Sequence, residues 1–250
     1  MRDVILEARG LTKRFRSREE GKRSFTAVDN ASLSLCAGET LGLLGESGSG
    51  KSTLGQMLVG LIRPDEGTIL YRGQPLPFPF KGVPRQKIQI LFQHPEVSFN
   101  PQLTLRQSLS EPFRLRGKPV TDEALAECIS RFGLYPEHLE RRPGALSGGE
   151  LQRAALARIL VMEPEFILLD EPTSMLDVIT QAQIVDFLRR YREEHGTSYL
   201  FITHSTSLAE QVCHRIIHIR AGVLAEEEVP ERKGGEANEK DRHPVLSEFQ

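Results

Sequence analysis

The segment Gly45-Glu46-Ser47-Gly48-Ser49-Gly50-Lys51-Ser52 limits the possible folds more than any other stretch of the chain, because it satisfies G-x-x-x-x-G-K-[ST] in a context that gives the pattern structural meaning. Before it runs Thr40-Leu41-Gly42-Leu43-Leu44, a short apolar stretch suited to a strand buried on both faces of a parallel sheet. After it, Ser52 to Leu61 reads as a helix stopped by Pro64. Glycines let the connecting loop wrap so that successive backbone N–H groups face one anion. The helix N-terminus adds unpaired N–H groups and a partial positive charge. Gly45, Glu46, Ser47, Gly48, Ser49, Gly50, Lys51, Ser52 and Thr53 are therefore expected to cradle phosphates, with Lys51 reaching the β- and γ-phosphates and the Ser52 hydroxyl on Mg²⁺. The motif identifies a ligand class and leaves kinases, GTPases, helicases and ATPases open.

The rest of the chain alternates in a way that suits an α/β fold. Strands are expected at Val4 to Leu11, Ala27 to Leu35, Thr68 to Tyr71, Ile88 to Phe92, Phe166 to Leu169, Tyr199 to Ile202 and Arg215 to Ile219. The charged stretch Arg16 to Arg23 reads as a hairpin loop, and Pro75 to Pro84 as a proline-rich connection. From Thr104 to Phe132 the spacing turns helical, and this block, to about Arg142, reads as a separate helical subdomain. Ser147 is expected to cap a helix running through Met162, and another helix covers about Thr180 to Glu194. After Glu226 the chain is charged and without periodicity, as a flexible tail would be. No internal repeat is visible.

Composition excludes several classes. A net charge of −2 argues against a general nucleic-acid binder. No run of about eighteen apolar residues occurs, so no segment reads as a membrane span. The start, Met1 to Glu7, resembles a charged strand rather than a signal peptide. Cys36, Cys128 and Cys213 are odd in number and widely spaced, which suits inert thiols in a reducing compartment. His214 and His218 are four apart on an expected strand, a span of roughly 13 Å that one metal ion cannot bridge.

Leu146-Ser147-Gly148-Gly149-Glu150, continuing Leu151-Gln152-Arg153, lies at the start of a helix after the helical block and resembles the signature segment of ATP-binding cassette (ABC) proteins. The resemblance covers about residues 4 to 227. It implies an α/β P-loop NTPase cassette with a RecA-like parallel core, an antiparallel β subdomain and a helical subdomain. On that reading residues 1–227 form a single nucleotide-binding domain, with the helical subdomain at about 95–160 inserted in the core, and 228–250 form the tail. ATP and Mg²⁺ are the implied ligands. Two cassettes would pair head to tail, with Ser147, Gly148, Gly149 and Glu150 of one closing over the ATP of the other.

Further roles follow from the same resemblance. Asp170, at the end of Phe166-Ile167-Leu168-Leu169-Asp170-Glu171, would hold Mg²⁺, and Glu171 would polarise the attacking water. Gln93 resembles the glutamine that touches Mg²⁺ and the water, and His204 the histidine that senses the γ-phosphate. Asp177, in Ser174-Met175-Leu176-Asp177, resembles part of the loop joining two cassettes. Phe15 sits where the family stacks a ring on adenine, and Val28 where it packs against ribose or base. The family often has aspartate where this chain has His94 and Ser205, and more often alanine in place of Met175.

The likeness narrows toward ATPase subunits of bacterial importers for dipeptides, oligopeptides and nickel. The charged insertion after the first strand, Ser98-Phe99-Asn100-Pro101 and His243-Pro244 carry that narrowing, although Val245-Leu246 departs from the family's tail. It implies two integral membrane permease subunits, a paralogous ATPase or a second copy as dimer partner, an extracytoplasmic solute-binding protein acting indirectly, and no nucleic acid. The place would be the cytoplasmic face of the inner membrane, as a peripheral subunit, with the segment His94 to about Phe113 contacting the permease. A stand-alone export ATPase remains open, as does a soluble cassette acting on nucleic acid or ribosomes.

Overall fold

The computed structural model describes residues 3–16, 24–174 and 176–228. The chain opens with strands β1 (Val4–Phe15) and β2 (Phe25–Cys36), antiparallel to each other, then β3 (Thr40–Leu44), helix α1 (Lys51–Leu58), β4 (Glu66–Tyr71) and the short β5 (Gln74–Pro75). Next come α2 (Val83–Lys87), β6 (Ile88–Leu91), α3 (Leu105–Leu115), α4 (Asp122–Ser130) and α5 (Gly148–Leu160). The remaining elements are β7 (Phe166–Asp170), α6 (Val178–His195), β8 (Ser198–Thr203), α7 (Thr206–Val212), β9 (Arg215–Arg220) and β10 (Val223–Glu228). The expected hairpin loop at Arg16 to Arg23 and the expected tail fall mostly outside the described residues.

Among the described residues the strands form two sheets, a four-stranded one ordered β2-β1-β4-β5 and a six-stranded one ordered β10-β9-β3-β8-β7-β6. The first is antiparallel. In the second, β9, β3, β8, β7 and β6 run parallel and β10 closes one edge antiparallel to β9. Parallel strands need coverage on both faces, and the core shows it. Leu168 of β7 and Leu200 and Ile202 of β8 join one apolar cluster with α1 and the antiparallel sheet. Their neighbours Ile167, Leu169, Tyr199 and Phe201 join the other, which includes residues of α3, α4 and α5. Alternate residues of one strand thus bind the sheet to two different layers.

Several elements differ in extent from the sequence expectation. β1 runs on to Phe15 rather than ending at Leu11, because Gly10 takes φ +60 and forms an irregularity in the ladder instead of a stop. Its N–H donates to Ser32 Oγ at 2.9 Å, and pairing with β2 resumes at Leu11↔Ala31. The helical block divides into α3 and α4, each starting at a threonine cap, Thr104 and Thr121. α1 ends at Leu58, three residues short of Leu61. β10, α7 and the short α2 appear where no element was expected. Burial pushes the Cys128 thiol up to about 11 and the Cys213 thiol up to about 12, so both stay protonated at neutral pH.

Candidate functional site

The phosphate-loop sequence joins β3 to α1, at the carboxyl end of the parallel strands, where open α/β sheets bind ligands. Gly50 is the residue before α1 and takes φ +108, with no side chain capping the helix, so the first N–H groups of α1 are left for a ligand. Glu46, Ser47 and Gly48 are exposed at the loop tip, whereas Lys51 is only 6% exposed. Its ammonium donates to the carbonyls of Gly45 at 2.7 Å and Glu46 at 2.8 Å, and so lies across the loop that an anion would enter. Ser49 Oγ is buried without a hydrogen-bond partner, a polar atom at the same loop that a ligand or water could satisfy. Thr53 is half-buried in the first turn of α1.

Ser52 Oγ donates to Asp170 Oδ1 at 3.4 Å. Asp170 ends β7 and is 7% exposed. Burial raises its pKa most, the neighbouring Glu171 charge adds to the rise, and the Ser52 hydrogen bond and the Lys51 charge oppose it. A buried carboxylate beside a hydroxyl is a donor set that fits a hard divalent ion such as Mg²⁺.

Three chain segments meet at Glu171. Gln93, just beyond β6, donates Nε2–H to Glu171 Oε2 at 3.0 Å. His204, just beyond β8, holds Nδ1 at 3.5 Å from the same oxygen and is 68% exposed in its side chain. Glu171 itself has φ +45, a left-handed conformation that a non-glycine residue adopts at some cost, and its N–H donates to Ile202 O at 3.1 Å. β7 therefore ends at Asp170, and Glu171 begins the turn beyond it. Gln93, Glu171 and His204 are thus brought together, with Asp170 and Ser52 adjoining through the chain.

The signature segment is also exposed at Ser147 and Gly148, with Gly149 half-buried. Ser147 caps α5 in a reciprocal box: its Oγ accepts from Glu150 N at 3.3 Å, and its own N–H donates to Glu150 Oε2 at 2.7 Å. Three residues expected at the nucleotide or in the loop joining two cassettes take other contacts here. Both oxygens of Glu150 are engaged, the second by His138 Nε2 at 3.0 Å, so this carboxylate serves the cap, and its charge would repel a phosphate. Val28 is wholly buried in the core under the antiparallel sheet and has no exposed surface to offer a nucleotide. Asp177 caps α6 by accepting from Thr180 N at 2.9 Å and Thr180 Oγ1 at 2.7 Å. Met175, in the same loop, lies outside the described residues.

Phe15 is half-buried at the end of β1, with its ring 5.8 Å from that of Phe25 and Lys13 Nζ 5.6 Å from its centroid. The ammonium of Lys13 is held by Asp65 Oδ1 and Arg63 O, both at 2.9 Å. Two residues gain a role that the sequence reading missed. Gln152 is 3% exposed and donates to Pro172 O at 2.8 Å, tying the signature helix to the turn after Glu171. His138 supports Glu150 from a segment with no periodic signal. Neither carries a signal in the sequence, because α5 holds other polar residues, Glu150, Arg153 and Arg158, and the burial of Gln152 shows only in the fold.

The chain is similar to several known proteins. The sequence pattern of the family described as ABC transporter matches residues 28–174. The putative oligopeptide transport ATP-binding protein YkfD of Bacillus subtilis (strain 168) is 41% identical over 78% of this chain and 61% of its own length. The nickel import ATP-binding protein NikE of Escherichia coli (strain K12) is 41% identical over 84% of this chain and 81% of its own. The glutathione import ATP-binding protein GsiA of Salmonella typhi is 40% identical over 90% of this chain, which spans only 38% of that longer protein. Among solved structures, the ATP-binding cassette MJ0796 in a dimeric post-hydrolysis state with ADP and Pi superposes with a TM-score of 0.79 at 29% identity, covering 91% of this chain and 99% of that one. With the phosphate loop, the strand-end carboxylates and the capped signature helix in place, the chain belongs to the ABC transporter family.

Proposed function

We propose that this chain is the ATP-hydrolysing, nucleotide-binding subunit of a bacterial ABC importer, with peptides or nickel and metal chelates as the cargo class. The observation that carries the reading is the meeting of Gln93, Glu171 and His204 at one carboxylate oxygen, directly beside Asp170 and the phosphate loop. Residues 1–227 act as one nucleotide-binding domain, the block at about 95–160 as its helical subdomain, and 228–250 as a tail.

The chemistry follows from positions. ATP lays its phosphates on the N–H groups of the loop and α1, and Lys51 exchanges the carbonyls of Gly45 and Glu46 for phosphate oxygens. Ser52 and Asp170 are the residues that would hold Mg²⁺, with Gln93 within reach of the same region; when bound, the ion neutralises charge on the phosphate oxygens. Glu171 accepts a hydrogen bond from the attacking water and orients it in line with the γ-phosphate. Gln93 and His204 hold that carboxylate, and His204 is exposed enough to meet the γ-phosphate itself. Phe15 stacks on adenine. Ser147 and the N–H groups of Gly148 and Gly149 close over ATP held by a partner cassette, which makes nucleotide binding and dimerisation one event.

Relatives described as an oligopeptide transport protein and as glutathione and nickel import proteins support the import reading. No helix among the described residues is long and apolar enough to cross a membrane. On the importer reading, the chain's access to cargo runs through two separate permease subunits. It works as a peripheral subunit on the cytoplasmic face, beside a paralogous ATPase or a second copy, with a solute-binding protein delivering cargo on the other side. Tagging the chain in its native cell and identifying what co-purifies from gently solubilised membranes tests this. Two multi-spanning proteins with a related ATPase are expected. Recovery with ribosomes or DNA and no membrane protein would overturn the import reading and leave the ATPase chemistry standing.

A further inference from the structure

His138 lies in a single helical turn, Pro136–Glu140, between α4 and the signature helix, and is 5% exposed. Its Nε2 sits 3.0 Å from Glu150 Oε1. Glu150 is ionised, its pKa pulled down to about 2 chiefly by the Ser147 N–H, with the His138 hydrogen bond also lowering it. A nitrogen facing an ionised carboxylate at that distance carries the proton. Nδ1 lies 3.0 Å from both the N–H and the carbonyl of Tyr135, so it accepts from the first in a neutral ring and donates to the second in a charged one. Nε2–H points at Glu150 in either state.

A carboxylate has two oxygens, and here each has its own N–H donor: Ser147 N–H on Oε2 at 2.7 Å and His138 Nε2–H on Oε1 at 3.0 Å. With one oxygen pinned from the helical subdomain, the Glu150 carboxylate cannot rotate away, and the other oxygen stays on the backbone of Ser147. That fixes the direction of the N–H groups of Gly148 and Gly149, the first residues of α5. We propose that His138 is a positioning residue for the signature segment, acting through Glu150 to hold the N–H groups that meet the partner cassette's γ-phosphate. This rests on the ATPase reading above and assigns a specific side chain to the pre-organisation it needs.

Two variants separate the two sides of the ring. His138→Asn places a carbonyl oxygen near the Nδ1 position, keeping the contact with Tyr135 N–H and losing the donor to Glu150. His138→Gln places an amide N–H near the Nε2 position and keeps that donor. The assembled protein is assayed for ATP turnover, and the full chain for equilibrium ATP binding and amide exchange at Ser147. His138→Asn is expected to lower kcat about tenfold, as loss of one charge-assisted hydrogen bond would, with ATP affinity unchanged and faster Ser147 exchange. His138→Gln is expected to restore both readouts. A double-mutant cycle supplies an independent check. Glutamine at 150 has one acceptor oxygen for two donors, so Glu150→Gln alone lowers kcat and adding His138→Asn lowers it no further. Equal behaviour of the Asn and Gln variants, or multiplying effects in the cycle, overturns the inference. Ser147 exchange reads the contact without turnover, so a wrong ATPase reading appears in wild-type turnover and a wrong inference in the exchange.

Discussion

Replacing Gly50 by alanine separates two costs that the phosphate loop imposes on its sequence. Gly50 has φ +108, outside the region that L-residues occupy readily, which costs an alanine about 1–2 kcal/mol. Its new Cβ would also lie 2.3 Å from the carbonyl oxygen of Ala27, a backbone atom of β2 that cannot turn aside as a side chain would. Overpacking of that kind costs about 1–3 kcal/mol. Gly48 provides the control, because it also has a positive φ, +77, but nothing lies within 4 Å of an added Cβ. For a chain of this size each kcal/mol lowers the melting temperature by roughly 2–4 °C. Gly50→Ala is therefore expected to melt about 4–20 °C below the wild type and Gly48→Ala about 2–8 °C below it. Thermal unfolding followed by circular dichroism reads the difference, and titration with a fluorescent ATP analogue should show the larger loss of affinity in Gly50→Ala, whose β2 and loop must both shift. Equal melting temperatures for the two variants would refute the reasoning, since the carbonyl of Ala27 would then not confine the loop.

Other substitutions probe the charges. Lys51→Ala removes the ammonium that spans the loop carbonyls and is expected to weaken ATP binding about 10–100-fold, measured by equilibrium titration, because hydrogen bonds to charged groups are the strong ones. The Glu150 cap gives a pH signature. Its pKa in the folded chain lies below the ordinary 4.5, near 2, so its contribution is fully present above about pH 4.5 and is lost as the pH falls toward 2. Urea unfolding of the wild type and Glu150→Gln should therefore show a stability gap at neutral pH that closes across that window, and a gap unchanged at pH 2.5 would contradict the assignment.

What the sequence discloses depends on the range of the physics. The phosphate loop is legible because a nest of N–H groups and a helix N-terminus must be built from consecutive residues, and β3, β7 and β8 are legible because strands buried on both faces must be apolar throughout. The Ser147 cap is local too, and its place at the start of α5 follows from the Ser-x-x-Glu spacing. Gln93 and Glu171 stand 78 positions apart, and only likeness to a family could suggest their meeting; the parallel β6–β7 pairing accomplishes it. The same limit explains what was missed. The first strand is expected to end at Leu11, and only the β2 partner shows Gly10 to be an irregularity within a longer strand. Glu150 reads as part of a ligand-facing segment until His138, from outside the helix, takes its second oxygen. Val28 lies in a strand whose two faces cannot be told apart without the layer packed on it.

The central claim is that Glu171, held by Gln93 and facing His204, orients the water that attacks ATP. Single-turnover phosphate release by the assembled protein, with wild type and Glu171→Gln compared at equal ATP occupancy, tests it directly. The substitution keeps the shape of the side chain and an acceptor for Gln93 Nε2–H, and removes the charge that polarises water. The account predicts ATP affinity within a few-fold of the wild type and phosphate release slower by about 10²–10⁴-fold, the range of a lost general base. Phosphate release at the wild-type rate in Glu171→Gln, with ATP bound, would mean that another group orients the water and would contradict the account.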